Sequence, residues 1–282
     1  HSLLATRLVS MIRKELELEI TVRDLFTHSN IDRLANYLSR HEKGILLLSV
    51  THIDEKPDHI PLSFSQERLW FMDQLQGSQE YHLPFAFRLS GNLDKGALSL
   101  SLQQVVNRHE VLRTIIYSVD GIGYQKLLPA NHWEIAHRDL SDYGTISNEE
   151  LQAFLSAPFD LSSDYMFRAC LYELGNSEYI LAGVFHHISS DGWSRGILTR
   201  EFMQLYEAHV SGNPLNMSPL SLQYQDYALW QRAHLEGEMV DKELAYWEDK
   251  LQGVGALQLP TDYPRPSVQS VSGNTVSFEL NN

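Results

Sequence analysis

One segment constrains the fold of this chain more than any other: an apolar run that leads into two histidines and a tight turn. The run covers residues 179–185, the sequence HHISSDG follows at 186–192, and apolar residues at helical spacing continue over 193–209. The run predicts a buried strand, and the Asp191-Gly192 pair suits a turn into a helix. The chain therefore contains a predicted strand, polar turn and helix in direct succession.

The same alternation extends over most of the chain after Pro61. Alternating or continuous apolar runs predict strands, and apolar residues three and four apart predict helices. The predicted strands are 85–89, 112–119, 166–173, 179–188 and 276–280, and the predicted helices are 65–75, 94–108, 193–209, 221–236 and 240–251. Together they predict an α/β (α+β) fold in which helices flank a mixed sheet.

The N-terminal region has a different pattern. Residues 1–41 predict three short amphipathic helices, with Ser2, Thr21 and Asn30 at positions where N-caps belong. Residues 42–60 join an apolar run to a polar stretch with a proline, which predicts a linker, although the apolar part is equally typical of a short strand. Residues 61–282 hold the alternating pattern and form the third predicted region.

Charge and cysteine content exclude several classes of function. The chain has 22 basic and 36 acidic side chains. Residues 1–41 contain 6 basic and 5 acidic side chains, so the rest of the chain contains 16 basic and 31 acidic ones. A region this acidic repels nucleic acid. Cys170 is the only cysteine, which excludes a disulfide framework and fits a reducing cytoplasm. No apolar run approaches a membrane span, no signal peptide is visible, and the chain does not begin with Met, so we expect a piece of a longer cytoplasmic protein.

The two adjacent histidines carry the candidate chemistry. Successive side chains on a strand point to opposite faces, so His186 and His187 cannot both line one site. One is expected to reach a cavity and the other to be structural, a geometry that argues against a metal site. A histidine with a pKa of ~6.5 can accept or hold a proton near neutrality. Without a Gly-x-Ser-x-Gly elbow or a glycine-rich phosphate loop, the pattern favours direct transfer between two bound substrates, or else a plain core histidine.

Five segments, in order along the chain, resemble one enzyme family. HHISSDG resembles the HHxxxDG motif of the condensation domains of nonribosomal peptide synthetases, in the chloramphenicol-acetyltransferase-like superfamily. The others are SFSQERLW (63–70), RHEVLRT (108–114), YQDYALWQ (224–231) and LPTDYPRP (259–266). The resemblance covers residues 61–282 and implies the first of the two lobes that enclose the family's tunnel. We therefore expect a truncated domain that is inactive by itself.

The resemblance also implies roles for residues of the HHISSDG motif. His187 would face the tunnel as the catalytic histidine, taking a proton from the attacking amine or holding the amine in place. His186 would be structural. Gly192 could offer its N–H to an oxyanion, although a glycine here is equally typical of a simple turn.

A buried ion pair is implied for the aspartate of the motif. By the family resemblance, Asp191 would pair with an arginine of the RHEVLRT segment. We favour Arg113 over Arg108 for this role, because alternation along the following strand turns Arg113 inward. Both arginines are thus expected to be structural residues at the active site.

The first residues resemble a second family. HSLLA (1–5) is similar to the end of the GGHSLLA motif of peptidyl carrier domains, whose serine carries 4′-phosphopantetheine. The resemblance makes Ser2 the attachment site, where a phosphodiester would meet the free N–H groups of a helix N-terminus. Ser2 could also be only a helix cap. The motif's glycines and the first carrier helix are expected upstream, which makes residues 1–41 the C-terminal part of a carrier domain.

Together the two resemblances imply amide-bond formation on an assembly line. An amine on a downstream carrier would attack an aminoacyl or peptidyl thioester on an upstream carrier, with adenylation domains as further partners. The linker is too short for an epimerisation domain, and the YHLP segment (81–84) resembles that of the subtype that joins L donors. The alternatives are an HxxxD acyltransferase that uses free acyl-CoA and a catalytically silent docking domain.

Overall fold

The computed structural model describes residues 2–16, 18, 20–40, 50–213, 215, 217–235, 238–264 and 267. The chain divides into two units, residues 1–51 and 52–282. Among the residues described, no helix of either unit is long and apolar enough to cross a membrane. The predicted strand 276–280 and residues 42–49 of the predicted linker lie outside the described residues.

In the first unit the described residues form three helices, α1 (Ser2–Leu16), α2 (Val22–Thr27) and α3 (Ile31–Leu38). Thr21 Oγ1 caps α2 by accepting from the Asp24 N–H (3.1 Å), and Asn30 Oδ1 caps α3 by accepting from the Arg33 N–H (2.8 Å). The apolar faces meet in a small core of Val9, Ile12, Ile20 and Leu38. Local capping and helical periodicity are therefore sufficient to explain these elements.

The second unit alternates helices and strands. Its helices are α4 (Phe64–Gln76), α5 (Lys95–Arg108), α6 (Asn148–Ser156), α7 (Gly192–Ser211), α8 (Tyr224–His234) and α9 (Glu238–Leu251), with 3-10 turns at Gln79–Tyr81 and Glu110–Arg113. Its strands are β1 (Ile60–Pro61), β2 (His82–Ser90), β3 (Thr114–Val119), β4 (Ile122–Leu127), β5 (Ala136–Asp139), β6 (Phe167–Gly175) and β7 (Glu178–His186).

These strands form two sheets. The smaller sheet has the order β1-β4-β3 and is antiparallel. The larger has the order β2-β7-β6-β5, in which β5 runs parallel to β6 and the other neighbours are antiparallel. The predicted α/β class with a mixed sheet and flanking helices is confirmed.

The central strands of the larger sheet, β6 and β7, are buried on both faces, which explains why their sequences are almost continuously apolar. Along β7, Leu181 and Phe185 pack in a core with residues of α5 and α7. Ala182 and Val184, which alternate with them, pack in cores on the opposite face. The end of β7 is therefore held from both sides, and this fixes the point from which the histidine pair projects.

The sequence patterns missed β1, β4, β5 and α6. Asp120 and Gly121, which directly follow the predicted strand 112–119, form a hairpin turn with φ values of 50° and 81°, from which β4 returns along β3. β5 has four exposed residues, so no apolar pattern marks it. The predicted strand 112–119 begins only at Thr114, because the Leu112 N–H donates to the His109 carbonyl (2.9 Å) in a 3-10 turn.

Candidate active site

The two histidines of the motif lie at the end of β7 and differ in burial. The side chain of His186 is fully buried, whereas His187 is exposed. The backbone N–H of His187 donates to the carbonyl of Tyr81 (2.8 Å), beside the start of β2. His186 is the last residue of β7 and His187 the first residue of the turn that follows, and of the pair only His187 is accessible to a ligand.

Both ring nitrogens of His186 are used inside the protein. The backbone N–H of Ile188 donates to Nδ1 (3.1 Å), so the neutral ring carries its proton on Nε2, which lies 2.9 Å from Ser78 Oγ. Burial, reinforced by the neighbouring rings of His82 and His187, lowers the pKa of His186 to about 3. The ring is therefore neutral near neutral pH, and it has no free nitrogen with which to act on a substrate.

Asp191 is the N-cap of α7. Its Oδ1 accepts from the N–H (2.8 Å) and the hydroxyl (2.6 Å) of Ser194. Burial alone would raise the pKa of Asp191, but the hydrogen bonds from Ser194 and the Trp193 N–H, with the nearby His187, outweigh it and lower the pKa. The residue is exposed, and its carboxylate is satisfied within the first turn of its own helix.

The predicted ion pair between Asp191 and Arg113 is wrong. Arg113 is buried as expected, but its guanidinium pairs with Glu110 (3.1 Å) and donates to the Leu128 carbonyl (2.5 Å). The 3-10 turn at Glu110–Arg113 places Glu110 within reach three residues away, so Arg113 is paired locally. Asp191, capped by Ser194, has no need of a distant cation.

Arg108 lies in the packing between helices. Its Nε contacts Glu201 Oε2 (3.2 Å), and its Nη1 donates to the Ser218 carbonyl (2.7 Å). His109 Nε2 lies 2.6 Å from the same Glu201 oxygen. These bonds tie the end of α5 to the middle of α7, so the structure does not bring Arg108 to Asp191 either.

Gly192 is the first residue of α7. Its N–H has no acceptor among the described residues, as expected for the first N–H groups of a helix. A Cβ built at this position would meet no atom within 4 Å, so the approach to the backbone is open. An exposed imidazole and the unpaired N–H of Gly192 therefore lie at the two ends of one short turn.

Ser2 is the first residue of α1; its side chain lies outside the described atoms. The first N–H groups of a helix have no intrahelical acceptor and stand at the positive end of the helix dipole. A serine here fits a phosphodiester-linked group, because the hydroxyl offers an attachment atom and the backbone complements the negative charge.

Sequence reasoning missed Ser78 and Tyr81, the residues that hold the histidine pair. Ser78 is 108 positions from His186, and no local pattern predicts their contact. Tyr81 directly precedes β2, which pairs with β7 and places His82 directly opposite His186. Strand pairing, which the sequence did not specify, brings both residues to the site.

The YQDYALWQ motif, on α8, binds the start of α4 rather than the histidines. Tyr224 Oη lies 2.9 Å from Ser63 Oγ, and Gln231 Oε1 accepts from the Phe64 N–H (2.9 Å). Ser63 is itself the N-cap of α4. The motif thus connects two helices that lie more than 150 residues apart in the chain.

Family models account for both units. A model described as the condensation domain matches residues 56–282, and one described as the phosphopantetheine attachment site matches residues 1–38. The chain is 40% identical to the dimodular nonribosomal peptide synthase from Bacillus subtilis (strain 168) over 294 residues, and 39% identical to malpinin synthetase from Mortierella alpina over 287 residues. Each alignment covers 99% of this chain, but they span only 12% and 4% of those relatives.

Solved structures share the fold. The X-domain from teicoplanin biosynthesis, solved alone and in complex with OxyB, superposes with a TM-score of 0.67 at 28% identity. The starter condensation domain of rhizomide synthetase superposes with a TM-score of 0.61 at 18% identity, which supports the fold alone. The matches cover 78% and 71% of this chain and 49% of each of those chains.

Proposed function

Because this chain belongs to the condensation domains of nonribosomal peptide synthetases, with a phosphopantetheine attachment site in its first 38 residues, we propose that it takes part in amide-bond formation. The reaction joins the acyl group of a thioester on an upstream carrier domain to an amine on a downstream carrier. The proposal rests on one observation: the exposed His187 and the unpaired N–H of Gly192 lie at the two ends of the short turn that joins β7 to α7, and both of those elements pack in the core.

His187 acts on the amine. A free α-amine has a pKa of about 8 and is largely protonated at pH 7, so it needs a proton acceptor or a partner that holds its neutral form in place. An accessible imidazole can serve either purpose. His186 can serve neither, because both of its nitrogens are bonded inside the protein.

Gly192 stabilises the developing oxyanion. When the amine attacks the thioester carbon, negative charge forms on the carbonyl oxygen, and a preorganised N–H favours that charge. The Gly192 N–H is available, because it is the first N–H of α7 and has no acceptor within the helix. Asp191 contributes indirectly, because the hydrogen bond that its carboxylate accepts from the Ser194 N–H fixes the first turn of α7.

Ser2 is the attachment residue for 4′-phosphopantetheine. When attached, this group supplies a thiol that carries an acyl chain as a thioester. The chain's own contribution is the serine hydroxyl at the start of α1 and the backbone N–H groups beside it. Tethered reactants would reach the site at high effective concentration.

The proposed organisation assigns residues 1–41 to the carrier domain, 42–60 to the linker and 61–282 to the first lobe of the condensation domain. The partners are the upstream and downstream carrier domains and the adenylation domains of the same assembly line. The net charge of −14 argues against nucleic acid as a partner. The single cysteine, Cys170, is buried and unpaired, which is consistent with a cytoplasmic protein.

The test is His187→Ala in the complete synthetase that carries this sequence. Loss of a general base or of the group that orients the amine is expected to lower single-turnover peptide formation about 100- to 10,000-fold. The melting temperature should stay unchanged, because the side chain is exposed. His132→Ala removes another exposed histidine of the same unit and is the matched control, expected to retain wild-type turnover. Wild-type turnover by His187→Ala would remove His187 from the mechanism.

A docking domain without chemistry is the second candidate. It is favoured by the similarity to the X-domain, which was solved in complex with OxyB. The same assay separates the two, because a docking domain would show no turnover that depends on His187. Replacing the carrier-bound donor with soluble acyl-CoA tests the remaining alternative, a free-CoA acyltransferase, for which we expect no product.

A further inference from the structure

We propose that Ser78 and Asp73 are positioning residues for His187, and that they act by fixing the tautomer and the ring plane of the buried His186. The inference rests on the proposed function, since it concerns the same histidine. It assigns a role to Asp73 in the last turn of α4 and to Ser78 between α4 and β2, neither of which lies in a sequence motif. Both residues belong to the second unit, and neither is exposed.

A directional chain of hydrogen bonds connects these residues. The Ile188 N–H can only donate, so His186 Nδ1 is an acceptor and His186 Nε2 carries the proton. Nε2–H then donates to Ser78 Oγ (2.9 Å), and the Ser78 hydroxyl donates to Asp73 Oδ1 (2.5 Å). The Ile188 N–H can only donate and the Asp73 carboxylate can only accept, so the two ends of these hydrogen bonds fix the same direction for each of them.

These hydrogen bonds hold the backbone on both sides of His187. On the following side, the His186 ring binds the N–H of Ile188. The carbonyl of His186 itself accepts from the N–H (3.0 Å) and the hydroxyl (2.9 Å) of Ser189. If the ring turned, the Ile188 N–H would lose its acceptor and the turn that carries His187 would shift.

Burial makes this arrangement sensitive to the loss of one partner. His186 is fully buried and Ser78 nearly so, and a buried donor without an acceptor is costly. Without the Ser78 hydroxyl, the Nε2–H of His186 has no acceptor. The ring can then relieve the loss only by rotating or by exchanging its tautomer, and either change breaks the bond to Ile188.

The first experiment compares Ser78→Ala with Ser101→Ala in the complete synthetase. Ser101 is also a buried serine, but its hydroxyl donates to the carbonyl of Ala97 in its own helix (2.6 Å). Ser101→Ala therefore controls for the removal of a buried hydroxyl group. Misplacement of His187 by a fraction of an ångström is expected to lower kcat about ten- to a hundredfold with KM unchanged for both carrier substrates. Ser101→Ala should leave kcat unchanged. Equal kcat values for the two variants would overturn the inference.

The second measurement reports the tautomer directly. With 15N-labelled histidine, the wild-type His186 should show a protonated Nε2 and an unprotonated Nδ1. Ser78→Ala should shift these resonances toward the other tautomer or toward exchange between the two. Asp73→Asn retains an acceptor oxygen and should keep both the signature and kcat, whereas Asp73→Ala should lose both. An unchanged signature in Ser78→Ala and Asp73→Ala would refute the positioning role even if both variants lost activity through instability.

The proposed function and this inference fail in different ways. If His187→Ala keeps full activity, the function assigned to His187 is wrong, whatever the Ser78 variants do. If His187→Ala is inactive while Ser78→Ala matches Ser101→Ala in kcat and keeps the tautomer signature, only the positioning role is wrong.

Discussion

Asp191 stands at the start of α7, where both donors of Ser194 reach its Oδ1. A carboxylate at this position satisfies helix N–H groups and complements the helix dipole without any cation. Arg113, three residues after Glu110, is likewise paired within its own turn. At the scale of single residues, short-range partners have replaced the long-range pair that the family resemblance implied.

The Asp191 cap predicts a modest cost for its loss. Asp191→Ala is expected to lower the free energy of unfolding by about 0.5–2 kcal/mol, the range for a lost N-cap, rather than the ~3–5 kcal/mol for a broken buried ion pair. Urea denaturation measures the difference. Asp94→Ala removes the equivalent cap of α5, where Asp94 accepts from the Ala97 N–H (2.8 Å), and should cost a similar amount.

A double-mutant cycle checks the same point. Asp191→Ala and Arg113→Lys share no partner, so their effects on unfolding should add within about 0.5 kcal/mol. A coupling energy well above that value would show that Asp191 and Arg113 do form an ion pair. A decrease of more than ~3 kcal/mol in the free energy of unfolding for Asp191→Ala alone would show the same.

At the scale of elements, α8 is a binding surface for the segment that leads into the second unit. Asp226, in the first turn of α8, is fully buried and accepts from His52 Nδ1 (3.1 Å) and the Ile53 N–H (3.3 Å). The ammonium group of Lys56 lies 3.5 Å from the same carboxylate. The aspartate of the YQDYALWQ motif therefore fixes residues 52–56 against the helix.

Asp226 should make stability depend on pH in the acid range. Burial alone would raise its pKa, but hydrogen bonds from the Gln223 N–H, His52 and the Ile53 N–H, with the charge of Lys56, lower it. Because the folded-state pKa lies below the unfolded value of about 3.9, the stabilisation is complete above that pH and is lost as pH falls through the folded-state pKa. Denaturation curves at a series of pH values should show this loss in the wild type and a weaker one in Asp226→Asn.

The same variant tests the anchoring role. Asp226→Asn is expected to cost about 1.5–3 kcal/mol at pH 7, since hydrogen bonds to a buried charged group are lost. Hydrogen exchange at the Ile53 amide should become faster, because the charged carboxylate that accepts from this N–H is replaced by a neutral amide oxygen, a weaker acceptor. Asp249→Asn, on the exposed surface of α9, is the control and should change neither quantity. Unchanged exchange at Ile53 in Asp226→Asn would show that other contacts hold the segment.

At the scale of the whole molecule, the carrier-like unit is followed directly by the condensation unit. The family models leave residues 39–55 between them, too few for an intervening epimerisation domain. The YHLP segment, which resembles that of the L-donor subtype, lies beside the histidine pair, because the Tyr81 carbonyl accepts from the His187 N–H. The segment whose resemblance implies an L donor is thus in contact with the proposed catalytic residue.

The short interval between the two units and the YHLP segment together predict a preference for an L donor. Loading the upstream carrier of the complete synthetase with L- and with D-aminoacyl groups should give product from the L donor at a higher rate and with its configuration intact. Chiral chromatography of the released product measures both. A faster reaction with the D donor, or a product epimerised at the donor residue, would contradict the assignment.

The sequence by itself determined the strand, turn and helix around residues 179–209, the three N-terminal helices and the expectation that only one of His186 and His187 would be accessible. These features depend on local periodicity and on caps such as Thr21 and Asn30, which act within a few residues. Only the tertiary structure decided that Ser78 binds His186, that Tyr81 holds His187 and that Asp226 binds residues 52–53. Such contacts join positions more than a hundred residues apart, and they exist only once strand pairing and helix packing have brought the backbone together. The partner of Arg113 was misjudged for the related reason that a 3-10 turn, which carries no apolar pattern, placed Glu110 within its reach.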